Sequence, residues 1–270
     1  GGNSIGGGGG AGGVVYTVNQ ILSSGTYTIG VGAGGIGLPL LTTGQGTVGL
    51  EQDGNDSYIK NSSDSNYIQF NMGGIIQDLR GRGGGGGGVY YDITTVPGRP
   101  GGSGGGSGEK ENGAYSGGSS TQPNTLWNGT SYVQGGSDGH GNLAQVTDSN
   151  YLAPGGGGAG GTIFNNIYNG KNGIEISITG TDTYFAAGGG GGQYTHTDSS
   201  KGLGANNIGG NGRLYGTSYI REATSGLDGT GSGGGGGAYD QNPDNTVGSG
   251  GSGIVIIRYK KEINIPPTAS

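Results

Sequence analysis

Hydrophobic residues in this chain are confined to short segments that are separated by runs of glycine. The clearest alternation of apolar and polar positions lies in residues 14–31 (VVYTVNQILSSGTYTIGV), where β-branched residues flank a Ser-Ser-Gly turn. Residues 173–187 (GIEISITGTDTYFAA) alternate in the same way, and a third apolar segment, GIVIIRYKKEI, covers residues 253–263. This pattern predicts a strand or hairpin at each of the three places.

Helical periodicity is not convincing in any stretch, although residues 75–80 (IIQDLR) are compatible with a single helical turn. The last residues, NIPPTAS, are typical of an extended linker. We therefore predict one domain over residues 1–263, followed by an extended linker or tail over residues 264–270.

The segments between these elements are dominated by glycine, which supplies 75 of the 270 residues. Only 29% of the residues are hydrophobic, too few for an ordinary sandwich or α/β core. The interruptions within the glycine-dense segments are almost only Ala and Ser, whereas most aromatic residues lie between them. Nine such runs can be counted: 6–13, 30–37, 83–88, 101–108, 155–161, 188–192, 202–212, 231–237 and 248–253.

A glycine run without side chains can be buried only if its backbone groups find partners. In the polyproline-II conformation the six glycines of run 83–88 would span about 19 Å, with all N–H and C=O groups pointing sideways. Only glycine lets such rods approach closely enough to bond. We therefore predict an irregular, glycine-rich fold: a bundle of about nine polyglycine-II rods with a few short β-strands or hairpins and essentially no α-helix. The alternative is disorder, which would leave the glycine amides unprotected from hydrogen exchange.

Three segments, SGTYTIGVGAGG, GIEISITGTDTYFAAGGGGG and the terminal GGSGIVIIRY, resemble the glycine-rich domain found in phage and other viral structural proteins. This resemblance covers most of the chain. The bundled-rod architecture is similar, more loosely, to the polyglycine-II sandwich of the tail-fibre tip adhesins of T-even-like phages. The resemblance implies a virion protein in which rods form the scaffold and variable loops recognise a host surface. The two loops of about 45 residues, 38–82 and 109–154, depart from the commonest pattern.

Charge and motifs argue against several other classes of protein. The net charge is −6 and the basic residues are scattered, so the footprint of a nucleic-acid-binding protein is missing. No apolar run is long enough to insert in a membrane as a helix. The spacing Gly32-x-Gly34-x-x-Gly37 fits a dinucleotide fingerprint by chance in so glycine-rich a chain, and no run is followed by the Lys of a P-loop. We expect no cofactor and no enzymatic activity.

Two sets of residues are candidates for metal binding. Asp53, Asn55, Ser57 and Asp64 have the oxygen-ligand offsets of a calcium loop, but Tyr58 stands where such a loop needs Gly. A solvated turn is the other interpretation of this set. The two histidines, His140 and His196, would form a metal or catalytic pair only if the fold joined them, and are otherwise surface residues.

Candidate recognition residues follow from the assumption that successive rods are antiparallel, so that connections alternate between two ends. One end then receives segments 14–29, 89–100, 162–187, 213–230 and 254–263, and is expected to be the attachment end. The other receives 38–82, 109–154, 193–201 and 238–247. Tyr and Trp among Ser, Gly and Asn are typical of a binding surface. The candidates at this second end are Tyr58, Tyr67, Tyr115, Trp127, Tyr132, His140, Tyr194, His196 and Tyr239.

These observations lead to a leading functional hypothesis and an alternative. The leading one is a non-enzymatic virion structural protein that adheres to a host cell-surface protein or glycan through loops on a tail fibre or similar appendage. It would contact other virion proteins through its C-terminal strand and tail. The alternative is a purely structural capsid decoration or fibre subunit whose loop aromatics make subunit contacts. A surface-binding glycine protein of a cell would instead have a flat face of regularly spaced Thr or Ala, which the irregular loops argue against.

Overall fold

The structure is a computed structural model of the protein. The structure describes residues 5–37, 53–72, 75–91, 94–95, 97–108, 116–122, 132–135, 151–162, 166–194, 199–216, 220–238 and 247–260. These residues include all nine glycine runs but only parts of the two long loops. They contain short strands and no α-helix, as the sequence predicts.

In the described part of the chain, sixteen short strands lie between or beside the glycine runs. They are β1 (Ile5–Gly6), β2 (Val14–Thr17), β3 (Tyr27–Gly30), β4 (Ser57–Asn61), β5 (Gln69–Met72), β6 (Ile75–Asp78), β7 (Arg80–Gly81), β8 (Val89–Tyr91), β9 (Thr94–Thr95), β10 (Tyr132–Gly135), β11 (Tyr151–Leu152), β12 (Ile174–Ile176), β13 (Thr183–Phe185), β14 (Gln193–Tyr194), β15 (Leu214–Tyr215) and β16 (Ile220–Arg221). One 3₁₀ turn covers Ala205–Asn207.

These strands form small separate sheets. The sheets have the orders β1-β8-β9, β10-β2, β3-β4-β7, β5-β6, β12-β13 and β11-β14-β15-β16. The hairpin predicted in residues 173–187 is confirmed, since β12 and β13 pair antiparallel with Glu175 opposite Tyr184. Strands also form in residues 14–31, but they do not pair with each other as a hairpin. Instead β2 pairs with β10, and β3 pairs with β4.

Two local predictions are wrong. Ile75–Asp78 is a strand rather than a helical turn, because it pairs antiparallel with Gln69–Met72 and the two strands flank a Gly-Gly connection. That dipeptide between alternating segments is a hairpin signal. Residues 254–260 belong to no sheet, although their apolar residues predict a strand. Among the described residues, strand propensity alone does not give this segment a partner strand.

The glycine runs bond laterally to one another through their backbones, and run 6–13 lies at the centre. Its N–H groups donate with a period of three: Gly6, Gly9 and Gly12 bond to residues 237, 234 and 231 at 2.9, 2.8 and 2.8 Å. Residues 7, 10 and 13 donate to residues 88, 85 and 82, while residues 8 and 11 donate to residues 154 and 157. Its carbonyl groups accept from residues 189 and 192 and from residues 103 and 106. Run 6–13 therefore contacts five other segments, and its hydrogen bonds to each of them recur every three residues.

The hydrogen-bond registers also give the directions of the runs, and the predicted strict alternation is wrong. Runs 83–88 and 101–108 are both antiparallel to run 6–13, so they are parallel to each other. The reason is that segments outside the runs join the lattice: between these two runs the Arg99 amide donates to Gly86 and the Arg99 carbonyl accepts from Gly105, and residues 53–55 likewise bond to runs 30–37 and 83–88. Such segments carry the chain back without a glycine run of their own.

Two ends of the bundle can be distinguished. At the end of Gly13 lie strands β2, β3, β4, β7, β10, β12 and β13, and Gly12 bonds to Gly231, which in turn bonds to Ser252 just before residues 254–260 leave. We call this the exit end. At the end of Gly6, Gly192 donates to Gly6 immediately before β14 begins. We call this the tyrosine end. Segments 14–29 and 109–154, predicted at opposite ends, meet through β2 and β10.

The interior is built from backbone with very few side chains. A Cβ atom added to Gly8 would lie 2.1 Å from the carbonyl oxygen of Gly189, and one added to Gly10 would lie 2.3 Å from that of Ser103. Real Cβ atoms do not approach so closely, so these positions require glycine. The buried hydrophobic cluster beside them consists of Ala11, Ala159 and Ala186, against which Val14 and Ile174 pack.

Candidate functional site

The most prominent aromatic group is a row of three tyrosines on the four-stranded sheet at the tyrosine end. Tyr151 lies opposite Tyr194 in the antiparallel pair β11-β14, and Tyr194 lies beside Tyr215 in the parallel pair β14-β15. The rings of Tyr194 and Tyr215 are stacked, with centroids 5.9 Å apart and an interplanar angle of 3°. The ring of Tyr151 is 6.0 Å from that of Tyr194. We call these three residues the tyrosine row.

The local sequence explains why the tyrosines point outward together. Successive residues of a strand face opposite sides of a sheet. Each tyrosine therefore has a neighbour on the inner face: Leu152, Gln193 and Leu214, which are all fully buried. The tyrosines are half-buried, and Ile220 of β16, paired with Tyr215, extends the row with 54% of its surface exposed. The buried residues hold the strands, and the tyrosines form the outer surface.

A second aromatic group lies at the exit end, on β4 and the segment that follows it. Tyr58 and Tyr67 contact edge to face, with centroids 5.7 Å apart. The Lys60 ammonium lies 4.6 Å from the centroid of Tyr58 and 4.4 Å from that of Tyr67, and the Arg80 guanidinium lies 5.0 Å from the latter. Cations over aromatic faces stabilise such groups by about 0.5–1 kcal/mol at exposed sites. The faces of these two rings are therefore already in contact with cations of the same chain.

The electrostatics of this second group are centred on Arg80. Its Nε donates to Asp56 at 2.6 Å, and the two side chains also form an ion pair. Desolvation lowers the pKa of Arg80, but the hydrogen bond and charge of Asp56 raise it, with smaller contributions from Tyr67 and Asp78, and the net shift is upward. The guanidinium is therefore a permanent cation against the ring of Tyr67.

The calcium-loop candidates make hydrogen bonds to different parts of the fold. Asp53 accepts a hydrogen bond from the Gly86 amide at 3.0 Å and from Arg99 at 2.8 Å, and Asp64 accepts one from the Asn66 amide in a turn. Ser57 begins strand β4 and accepts a hydrogen bond from the Gly32 amide, while the Asn55 amide donates to Ala33. In the described part of the chain there is no group of three or more His, Cys, Asp or Glu residues suited to a metal ion.

The spacing of Asp53 and Asp56 has a structural role instead. The two carboxylates accept hydrogen bonds from the amides of Gly86 and Gly83, at 3.0 and 2.8 Å. Aspartates three residues apart thus match amides three residues apart, on the side of run 83–88 where Gly54 also donates its backbone amide to Gly84. Each carboxylate is also paired with an arginine, Arg99 or Arg80.

The predicted recognition residues are distributed between both ends. Tyr194 lies in the tyrosine row, whereas Tyr58 and Tyr67 lie together at the exit end. Tyr132 belongs to β10, where its backbone pairs with that of Thr17 at the exit end. The remaining candidates, Tyr115, Trp127, His140, His196 and Tyr239, fall outside the described residues.

The sequence reasoning missed Tyr215, because the alternation of rods assigned segment 213–230 to the attachment end. A local signal was present: a residue that becomes buried, followed by Tyr, comes directly after run 188–192 in Gln193-Tyr194 and one residue after run 202–212 in Leu214-Tyr215. The two dipeptides lie side by side because those runs are parallel neighbours, with the Gln193 amide donating to Arg213 at 2.8 Å.

Residues 1–260 match the family described as a glycine-rich domain, so the chain belongs to this family over nearly all of its length. No curated protein and no solved structure shows a significant similarity to it. Within the described residues, no helix is both long and apolar enough to cross a membrane.

Proposed function

We propose that this member of the glycine-rich domain family is a non-enzymatic structural protein of a virus particle, in which polyglycine-II rods carry recognition surfaces at their ends. The period of three in the hydrogen bonds of run 6–13 supports the rods, since a polyproline-II helix has three residues per turn. The resemblance to viral glycine-rich domains described above motivates the assignment to a tail fibre or similar appendage.

The tyrosine row carries the proposal that this protein is an adhesin. Tyrosines are rigid, amphipathic anchors that lose little conformational entropy on binding, and they dominate many recognition surfaces. Tyr151, Tyr194 and Tyr215 come from three separate strands, each at the end of a backbone lattice that fixes its position. Such a row suits an extended ligand on the host surface, a glycan or a protein, that contacts several rings in turn.

The proposal gives the two ends of the bundle different partners, and so orients the protein on the virus particle. The chain leaves the bundle at the exit end through residues 254–260, where Ile254, Ile257 and Tyr259 are exposed. In this proposal the exit end contacts other proteins of the virion, and the tyrosine end faces the host.

Binding of the full chain to isolated envelopes of candidate hosts, and to an array of their surface glycans, tests this function. Tyr194→Ala and Tyr215→Ala should each weaken binding by about tenfold or more, as expected for a central aromatic anchor. Tyr259→Ala is the matched control, because Tyr259 is 82% exposed at the other end and should not matter for host binding. Equal binding by all three variants and the unaltered protein would refute adhesion through the tyrosine row.

A second candidate function is a purely structural subunit of a capsid or fibre. Its support is the apolar surface at the exit end, where the side chain of Ile257 is 50% exposed and that of Ile254 is 44% exposed. Contiguous apolar residues on a surface mark contacts between proteins. Sedimentation of the unaltered chain and of Ile257→Asn separates the two candidates: self-association that Ile257→Asn abolishes, without any host binding, favours the subunit.

A further inference from the structure

The glycine lattice contains one position that no described residue fills. Six segments hydrogen bond in a closed ring around it: 6–13, 83–88, 53–57, 30–37, 247–253 and 231–237. The bonds that close the ring run from Gly10 to Gly85, Gly54 to Gly84, Asn55 to Ala33, Gly250 to Gly35, Gly248 to Gly235 and Gly9 to Gly234, all between 2.8 and 2.9 Å. The ring encloses a cavity of about 1540 Å³, larger than the roughly 300–1,000 Å³ of a small-molecule site.

Unpaired backbone groups line this cavity at a period of three. Among the described residues, none donates to the carbonyl groups of Gly7 and Gly10, although the carbonyl groups of Gly6, Gly8, Gly9 and Ala11 all accept hydrogen bonds. The amides of Gly84, Gly87, Gly234 and Gly237 likewise have no acceptor there, whereas those of Gly85, Gly88, Gly233 and Gly236 are bonded. Buried backbone groups are almost always paired in native proteins. The pattern therefore indicates a missing neighbour with three residues per turn.

The glycines of run 6–13 give independent evidence. Its packed sides leave no room for a Cβ atom, as at Gly8 and Gly10, but its third side is open. A Cβ atom on Gly12 would lie 3.4 Å from the Arg82 oxygen and 3.6 Å from the Gly231 oxygen, which are ordinary contacts between the two chains that flank the cavity. On the same side, a Cβ atom on Gly6 or Gly9 would lie 3.2 Å from the nearest atom, the backbone nitrogen of Gly237 or Gly234. Glycine at positions 6, 9 and 12 is explained if another backbone approaches there.

We propose that this cavity binds an extended, glycine-rich segment of a partner polypeptide, which completes the lattice as its missing chain. The mouth of the cavity favours a separate protein as the donor. Leu22, Ile254, Ile257 and Tyr259 line it at the exit end, and 39 to 82% of the surface of each is exposed. Exposed apolar residues around a site are typical of a contact with a second protein. The partner inserts its extended segment between the rods and covers this apolar rim.

The test uses hydrogen exchange of the full chain with and without a synthetic peptide of about eight glycines between two lysines, which spans about 25 Å when extended. In the free protein the amides of Gly84, Gly87, Gly234 and Gly237 should exchange fast, and those of Gly85 and Gly236 slowly. The peptide should slow the first group by about tenfold or more and leave the second unchanged. A peptide of alternating glycine and valine between two lysines controls for charge, because its branched side chains do not fit between the rods.

Two variants on facing walls make the test specific. Gly12→Ala and Gly54→Ala should fold, since their Cβ atoms would lie at least 3.3 Å from any neighbour, yet each should weaken peptide binding by about tenfold. Gly25→Ala, with no neighbour within 4 Å, is the control. If one wall variant fails to fold, the other decides.

Four results would overturn the proposal. One is the absence of saturable peptide binding to the unaltered chain, and another is binding by both wall variants that is as tight as binding by the unaltered chain. The third is protection of the Gly84 and Gly234 amides in the free monomer, which would mean that the chain fills its own cavity. The last is protection only in a self-associated form, which would make a second copy the occupant. Host binding has no part in these readouts, so the proposal stands or falls separately from the adhesive function.

Discussion

The interior of the glycine bundle and the sheet at its tyrosine end achieve close packing by opposite means. Around Gly8 and Gly10 the backbones themselves are in contact, and a single added carbon atom has no space. In the sheet, Leu152 and Leu214 fill the inner face with side chains and the tyrosines cover the outer face. The interior can therefore vary little in sequence without loss of the fold, whereas the ends carry the chemical variety that recognition requires.

The two regions also differ in what offsets the entropy lost on folding. Glycine loses more conformational freedom on folding than any other residue, and its burial removes almost no apolar surface from water. Run 6–13 must therefore be stabilised by its hydrogen bonds to five neighbouring segments. The tyrosine sheet gains apolar burial instead, at about 25 cal/mol per Å². Substitutions in the two regions should therefore differ in their effect on stability.

Gly8→Ala should have the largest effect on the interior. Its Cβ atom would lie 2.1 Å from the Gly189 oxygen, so two backbones must separate and several lattice bonds must break. We expect a loss of about 3 kcal/mol or more in the free energy of unfolding, measured with urea. Gly25→Ala, which has no neighbour within 4 Å, should change it by less than about 0.5 kcal/mol. Similar values for both would contradict a backbone-packed interior.

Asp56→Ala should have an intermediate effect at the edge of the lattice. It leaves the part-buried Gly83 amide and the Arg80 guanidinium without their acceptor. The expected cost is about 1–3 kcal/mol in the free energy of unfolding. Asp64→Ala removes a carboxylate that only caps an exposed turn, and should cost less. If the two aspartates have equal effects, side chains do not close the edge of run 83–88.

Tyr215→Ala should have a smaller effect on stability than on recognition. It removes the stacked contact with Tyr194 on the outer face but leaves Leu214 buried beneath it. We expect a loss of about 0.5–1.5 kcal/mol in the free energy of unfolding. A thermal or urea titration beside Tyr259→Ala measures it. Loss of the whole fold in Tyr215→Ala would show that the row is part of the core and would argue against a recognition surface.

Gly12→Ala should have the smallest effect of the four. Its Cβ atom faces the cavity at 3.4 Å from the Arg82 oxygen, so the free energy of unfolding should change by less than about 0.5 kcal/mol. Gly10→Ala, in the same run, would bring a Cβ atom to 2.3 Å from the Ser103 oxygen and should be severely destabilised. Equal losses at the two positions would mean that run 6–13 is closed on every side.

The sequence contained enough information for the elements that depend on local pattern. The glycine runs and the alternation in residues 173–187 led to lateral packing of runs and to the β12-β13 hairpin. The directions of the runs could not be read in the same way, because residues 53–57 join the lattice with only one glycine among them. A segment at the edge needs a bare backbone only towards its neighbours, so Asp53 and Asp56 are compatible with it.

The candidate site could be predicted from the sequence only in part. Tyr194 was a candidate because the assumed alternation of rods placed segment 193–201, with its Tyr, Thr and Ser residues, at the recognition end. Its partner Tyr215 is separated from it by a complete run, and only the parallel register of β14 and β15 brings the two rings together. The cation–aromatic group of Tyr58, Tyr67 and Lys60 depends likewise on the pairing around β4. Such contacts are tertiary, and no local pattern encodes them.

The central claim is that the glycine runs are folded by lateral backbone hydrogen bonds, and residue-resolved hydrogen exchange of run 6–13 tests it most directly. The amides of Gly7, Gly9 and Gly10 donate to other runs at 2.8 Å. They should exchange only through global unfolding, with protection that corresponds to the full free energy of unfolding. Exchange of these three amides at the rate of an unstructured glycine peptide would contradict the account.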